Sequence, residues 1–473
     1  MFFPVLILGF SARVGIALFS DVPLHYDEVM QYLEQAHRVV YGYGIVPWEY
    51  REGTRSWLVP GFISGILYGL KVLGSDRPEL YINAVKIVFC AISLLIPAGM
   101  YLFSRVHFGE QSARIALVLG CFWYELVVFA HKPLTTFAAT ALFFLALALV
   151  VRNSRPVYAL FAALAFTLAI AVRIQIAPAV ALMMAVAMIN YPRRQKQWFG
   201  FGVLVVIFSV GILDEISWGG WWRTYYKNIE LNLFRDVASA FGTEPWYQYT
   251  VWLLLASAGM FYVALGWAAF RFKKYGLLLV CVLLIVTLHS LIGHKEYRFV
   301  FLVIPLWLMI TADLLTTLKV WQSLTLKTAL VFICVAGITN HLPWQENVYL
   351  AIGYTVHEFL DRRNDRQAYL HLSQDDTVTG VIDLTSHWSI SGGYYYLHKK
   401  VPLYDKSLYQ AQLQQRPLAN YASHILTTNQ VADIPGFERI NTFTSTNNGE
   451  VILWHRTEDI GAQYVWENYV LNQ

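Results

Sequence analysis

The sequence predicts an all-α polytopic membrane protein carrying a small α/β domain at its C-terminal end. Three observations predict it. Of 473 residues, 57% are hydrophobic, and the mean hydropathy is +0.45. Only 14% are charged, against about 25% in a soluble domain. Apolar runs long enough to cross a bilayer recur along most of the chain. A soluble enzyme of this length needs a charged surface that this chain cannot supply. The same figures exclude a disordered or collagenous chain. The net charge of +4 is too small and too dispersed for a nucleic-acid partner.

A spanning helix takes about 20 mostly apolar residues. Suitable runs lie near 2–20, 81–103, 112–130, 133–151, 198–216, 251–270, 275–292, 299–317 and 328–343. The stretch 157–190 is too long for one span and carries Arg173 and Gln175 at its centre, with Pro178 just after. Two short helices joined by a polar break account for it, giving about 11 spans. Residues 1–20 have no basic leading segment and no small-residue cleavage pattern, so they read as a retained first span. Cys90, Cys121, Cys281 and Cys334 each sit inside an apolar run, as small buried hydrophobes do, and no pair has metal-ligand spacing.

Loop charge orients these spans. With the N-terminus cytoplasmic, the connections 104–114, 152–156, 191–196, 271–274 and 318–327 each carry at least two Lys or Arg. Five consecutive agreements with the positive-inside rule also require 157–190 to hold an even number of helices. Three segments then face the exoplasm: the loop 21–80, the loop from Asp214 to about Thr250, and the tail from 344 onward. The chain therefore divides into a membrane body, 1–343, and an exoplasmic domain, 344–473. The tail is richer in charge than the body, and its runs Val378–Leu384, His424–Thr428 and Glu450–His455 suggest strands.

The ionisable groups with plausible chemistry gather on the exoplasmic face. In the first loop, apolar residues at 29, 32, 33, 36 and 39–40 follow a helical period, which puts Asp27 and Glu28 in the first turn. The plainer reading is Asp27 as a helix cap and Glu28 as first-turn charge. The functional reading rests on their place beside the bilayer and on Trp48, Glu49, Tyr50, Arg51, Glu52, Arg55, Ser56 and Trp57 in the same loop, a mixture suited to a sugar or headgroup. In the second loop, Trp218, Trp221, Trp222 and Trp246 suit interface anchoring. Asp214 ends a span, where a carboxylate is costly unless paired or functional. The turn Gly293–Phe299 holds His294, Lys295, Glu296 and Arg298. It reads either as snorkelling cations with a counter-ion or as a set of phosphate donors. Arg173 reads as lining a polar cavity, with Lys86 and Lys132 as lesser candidates. No Walker A, GxGxxG, HExxH or GxSxG motif occurs.

These segments together resemble glycosyltransferase family 22, the polyprenyl-phosphate-mannose-dependent α-mannosyltransferases that include the GPI mannosyltransferases. The resemblance lies in His25–Glu28, Gln31–His37, Tyr41–Gly44, Trp48–Glu49 and Arg55–Pro60. It continues in Arg173–Gln175, Asp214–Asn232, Pro245–Trp246 and His294–Phe299, and loosely in Thr385–His387. Tyr26 stands where the family usually has Pro, and Tyr297 where a second acidic residue is common. The resemblance implies a GT-C fold with an exoplasmic active site, an inverting single displacement and a polyprenyl-phosphate sugar as donor. A glycan or glycolipid would be the acceptor, with no cofactor and no metal. It implies Asp27 as general base, with Glu28 beside it. His294, Lys295, Arg298 and Arg173 would hold the donor phosphate. Trp48, Glu49, Arg55, Asp214 and Trp246 would bind substrate. A lipid-linked-glycan transporter or flippase, or an O-antigen ligase or polymerase, is the alternative. A complete absence of Asn-x-Ser/Thr favours a bacterial inner membrane, with the ER membrane as the alternative.

Overall fold

The computed structural model describes residues 2–20, 27–152, 155–319, 363–385, 391–406, 420–445 and 449–457. The expected span 328–343, Cys334, residues 320–327 of the connection 318–327, His25, Tyr26, Ser386 and His387 lie outside them. The described chain is mostly helical with one small sheet. Four helical stretches are long and apolar enough to cross a membrane: Phe2–Phe19, Pro78–His107, Arg193–Trp218 and Phe272–Ser290. A bent pair, Gln248–Ala256 with Met260–Phe270, makes a fifth if it is one span. Further apolar helices of 10–17 residues include Leu58–Val72, Thr135–Val150, Pro156–Val172 and Val303–Thr317.

Local chemistry sets the breaks. The helix Pro156–Val172 ends at Arg173, a short turn covers Ile174–Ile176, and a new helix runs Ala177–Asn190. This is the polar break expected at Arg173 and Gln175, and Pro178 sits where its missing N–H costs nothing. Helices Pro78–Ser93 and Leu95–His107 part where Pro97 has no N–H to return to Ser93. The stretch 251–270, expected as one straight span, bends by 106°. Ala258 (φ 50°) and Gly259 (φ 81°) turn the backbone left-handed there. The Ser257 hydroxyl donates to Leu253 O at 2.6 Å and accepts from Phe261 N–H at 3.2 Å, stitching the corner. Cys90, Cys121 and Cys281 are buried free thiols.

The chain forms two compact units. One joins residues 1–17, 49–59 and 86–356, the other residues 18–48, 60–85 and 357–473. The first is the helical body. On helix Val303–Thr317, buried Asp313 accepts from Ser112 at 2.6 Å, from Lys274 at 2.5 Å and from the Tyr275 hydroxyl, tying three helices at one point.

The second unit carries the sheet. Strands β1 (Val381–Asp383), β2 (Leu403–Asp405), β3 (His424–Thr428), β4 (Phe437–Ser445) and β5 (Gly449–Arg456) lie in the order β2-β1-β3-β5-β4. β1 is parallel to β2 and β3, and the β4–β5 hairpin adds antiparallel to β3. The apolar runs found in the sequence are β1, β3 and β5. Helix Asn364–Gln374 covers β4 and β5, and its Tyr369 hydroxyl donates to Asp383 at 2.8 Å.

Candidate active site

In the second unit, a π-helical turn Glu28–Leu33 runs into the helix Glu34–Tyr41. Asp27 stands at its N-cap position but makes no side-chain capping hydrogen bond. Its Oδ1 accepts instead from Gln31 Nε2 at 2.7 Å. The cap reading of Asp27 is therefore not what the backbone does. Glu28 is buried, while Asp27 and Trp48 are half-buried. Gly42 (φ 84°) ends the helix in the left-handed conformation that glycine adopts without cost.

The same helix holds the C-terminal part of its unit. Glu34 is fully buried, and its carboxyl accepts from Ile45 N–H at 2.8 Å and from Tyr395 N–H at 2.9 Å. Burial pushes this carboxyl up to about 7, against the pull of those N–H donors. Gly393 (φ 58°) is required twice over, by its backbone and because a Cβ there would lie 2.6 Å from Glu34 Oε2. His37 Nε2 meets His398 Nδ1 at 3.0 Å, and Tyr41, Tyr43 and Tyr81 pack around the pair. Burial, then His398, drives the His37 imidazole down to about 3. Glu34 and His37 belong to the Gln31–His37 motif, whose sequence gives no hint of this clasp because its partners lie more than 350 residues away.

In the first unit, a cationic cluster forms around Phe299. The Arg173 guanidinium carbon lies 4.9 Å from the Phe299 ring centroid and that of Arg298 lies 5.4 Å away. His294 packs against the same ring at 5.9 Å. Arg173 reaches this place because its helix stops at it. Phe299 is thus the residue that sequence reasoning missed; as the apolar end of a charged motif it carried no chemical signal of its own. Glu296 organises the cluster. It accepts from Arg298 Nε and pairs with His294 Nε2 at 3.0 Å. The other ring nitrogen of His294 faces Gly242 O at 2.9 Å. Glu296 foremost raises the His294 imidazole above its ordinary value, so the ring carries charge more readily there. Lys295 is buried, and its ammonium donates to Glu244 O at 3.0 Å, Gly293 O at 3.4 Å and Ile292 O. Desolvation lowers it.

The remaining candidates in this unit divide. Glu49 faces Arg55 at 3.9 Å. Trp57 stacks on Trp218 at 6.1 Å, and Tyr50 packs edge-on against Trp57 at 4.9 Å. Trp218 therefore packs against the first-loop segment and is not a plain interface anchor. Trp221, Trp222 and Trp246 are exposed, Trp246 by 72%, as anchoring rings are. Asp214 is 0% exposed. Its Oδ2 accepts from Thr224 N–H at 2.9 Å and from the Thr224 hydroxyl at 2.7 Å, tying the Arg193–Trp218 helix to the short helix Arg223–Ile229.

Residues 4–398 match the Alg9-like mannosyltransferase family. A GPI alpha-1,2-mannosyltransferase 3 from Xenopus laevis is 26% identical over 349 residues, 69% of this chain and 62% of that protein. A GPI mannosyltransferase 3 from Yarrowia lipolytica is 29% identical over 351 residues, 71% of this chain and 67% of that protein. The match to the frog protein thus spans about three fifths of its length, 62%. Among solved structures, ArnT from Cupriavidus metallidurans bound to undecaprenyl phosphate superposes with a TM-score of 0.62 at 11% identity, over 97% of this chain and 98% of that one. Its apo form gives 0.56 at 12% identity, over 96% and 97%. That likeness is one of fold, the GT-C fold. With the family pattern running from the first helix to the clasp at His398, the chain belongs to the Alg9-like mannosyltransferase family.

Proposed function

We propose that the protein is an inverting membrane glycosyltransferase. It moves mannose from polyprenyl-phosphate-mannose to a hydroxyl of a glycan or glycolipid, forming an α-linkage. The observation that carries this reading is the gathering of Arg173, Arg298 and His294 on Phe299. Two guanidiniums beside one ring, next to a motif turn, suit a phosphate whose charge grows as it leaves. The relatives' names support a mannosyl donor and a glycolipid acceptor.

In the single displacement, the acceptor oxygen bonds to the anomeric carbon while the bond from that carbon to the phosphate oxygen breaks. Asp27 takes the acceptor proton, Glu28 orients the acceptor hydroxyl, and the departing phosphate needs no proton. Arg173 and Arg298 receive the phosphate charge. His294 and Lys295, engaged with Glu296 and with backbone carbonyls, act chiefly by shaping the turn. Glu49, Arg55, Trp48, Asp214 and Trp246 belong to the substrate surroundings. No cofactor or metal is invoked.

The loop charges support about 11 spans with these groups on the exoplasmic side. The bacterial inner membrane is the first reading of the membrane and the ER the second. Mass spectrometry of lipid-linked and surface glycans, from cells with and without the gene, tests the function. The expected result is loss of one mannose in its absence, restored by the wild-type chain but not by Asp27→Asn. Unchanged glycans would refute it.

A further inference from the structure

The helix Glu110–Phe122 stops at Trp123, whose φ of −60° and ψ of 126° are extended, and a single turn, Tyr124–Val128, follows. Such a break strands carbonyls inside the body, where each needs a donor. Arg13 supplies it. Its Nη1 donates to Cys121 O at 2.7 Å and Gly9 O at 3.0 Å, its Nη2 to Gly120 O at 2.9 Å, and its Nε to Ser93 Oγ at 3.0 Å. The interruption is therefore held rigidly by a buried guanidinium.

What the interruption does is turn Glu125 inward. Its side chain is 1% exposed. Oε2 accepts from the Trp123 indole N–H at 2.8 Å, and Oε1 accepts from the Tyr297 hydroxyl. Among the described residues these two neutral donors are its hydrogen-bond partners. A carboxyl placed in the body is expensive there. Trp307 meets Trp123 edge-on at 5.2 Å, and Trp252 meets Tyr297 edge-on at 6.4 Å, walling the pair with aromatic rings. Tyr297 opens the turn Tyr297–Val300 and sits between Glu296 and Arg298. Those two are joined to each other and, through Glu296, to His294. Fixing the Tyr297 ring therefore fixes the direction in which its two neighbours leave the backbone.

We propose that Glu125 is a positioning residue for the lipid-phosphate site: by holding Tyr297 it sets Glu296 and Arg298 in the arrangement that receives the phosphate. This rests on the function proposed above. Nothing in the sequence around Glu125 signals it, since the partner lies 172 residues on.

The test compares wild type, Tyr297→Phe, Glu125→Met and the double variant, purified in detergent. Binding of polyprenyl phosphate alone is measured first, then transfer kinetics with polyprenyl-phosphate-mannose. Each single variant is expected to weaken polyprenyl phosphate binding about tenfold, and the double variant no further, because both remove one link. The apparent KM for the donor should rise and kcat should fall, because Arg298 also receives the charge that grows on the departing phosphate, while the acceptor KM stays within about twofold. Thermal unfolding of each variant serves as the control for folding. Wild-type affinity in both single variants overturns the proposal. So does an additive loss in the double variant, or a fall of acceptor binding in parallel with thermal stability. If the wild type binds polyprenyl phosphate but transfers no mannose, the sugar assignment falls while the binding series still decides Glu125. If it binds none, both fall.

Discussion

Glu34 makes the most quantitative test of how the first loop is built. Its carboxyl is fully buried, raised from 4.5 to about 7, and bonded to the N–H groups of Ile45 and Tyr395. A carboxyl that holds its proton longer when folded contributes stability that is complete below its unfolded value and is lost as pH rises through the folded one. Between pH 4.5 and 7 the loss amounts to about 3 kcal/mol, from roughly 1.4 kcal/mol per unit. Glu34→Gln keeps one acceptor and removes the titration, so it should cost about 1–2 kcal/mol at pH 4.5 and approach or exceed wild type near pH 7. Glu34→Ala strands both N–H groups and should cost about 2–5 kcal/mol at the acid end. Amide hydrogen exchange of residues 391–398 in the intact protein, corrected for intrinsic pH dependence, reads this directly. The wild-type to Gln difference isolates Glu34 from every other titrating group. Equal protection of that segment in wild type and Glu34→Ala, or a Gln variant with the wild-type pH slope, would refute the clasp.

Other outcomes follow from the same geometry. His37 works in the opposite sense: lowered from 6.5 to about 3, it contributes stability present above pH 6.5 and lost as pH falls toward 3, so His37→Asn should flatten the acid limb of the same exchange profile. Arg13→Met removes a buried charge but strands the Gly120 and Cys121 carbonyls, and a net loss of about 2–4 kcal/mol should appear as a lower unfolding temperature in detergent. Asp27→Asn should reduce kcat by about 10²–10⁴-fold with folding unchanged, as loss of a general base does.

The helical part of the chain was legible because its signals are local. Apolar length and the Arg173 break lie within windows of about 20 residues, and β1, β3 and β5 show as short apolar runs. What was hidden depends on distance or on backbone detail. The corner at Ser257–Gly259 stands inside an uninterrupted apolar run, so hydropathy passes straight through it. β4 alternates weakly, and helix Leu58–Val72 is buried in a loop otherwise read for its charges. In the site, charged residues were found by type, but Phe299 and Glu125 gain meaning only from Arg173, Arg298 and Tyr297 beside them. The same limit applies to Glu34 and His37, whose motif reads as chemistry until Tyr395 and His398 are seen bonded to them.

The most direct measurement incubates the purified protein with polyprenyl-phosphate-mannose labelled in the sugar, together with an extract of membrane glycolipids. Single displacement with Arg173 and Arg298 receiving the phosphate predicts free polyprenyl phosphate and α-linked labelled product in equal amounts. It also predicts that Asp27→Asn and an Arg173→Gln/Arg298→Gln double variant lose both. Label that stays on the donor in the presence of competent acceptor, or transfer undiminished in those variants, would contradict it.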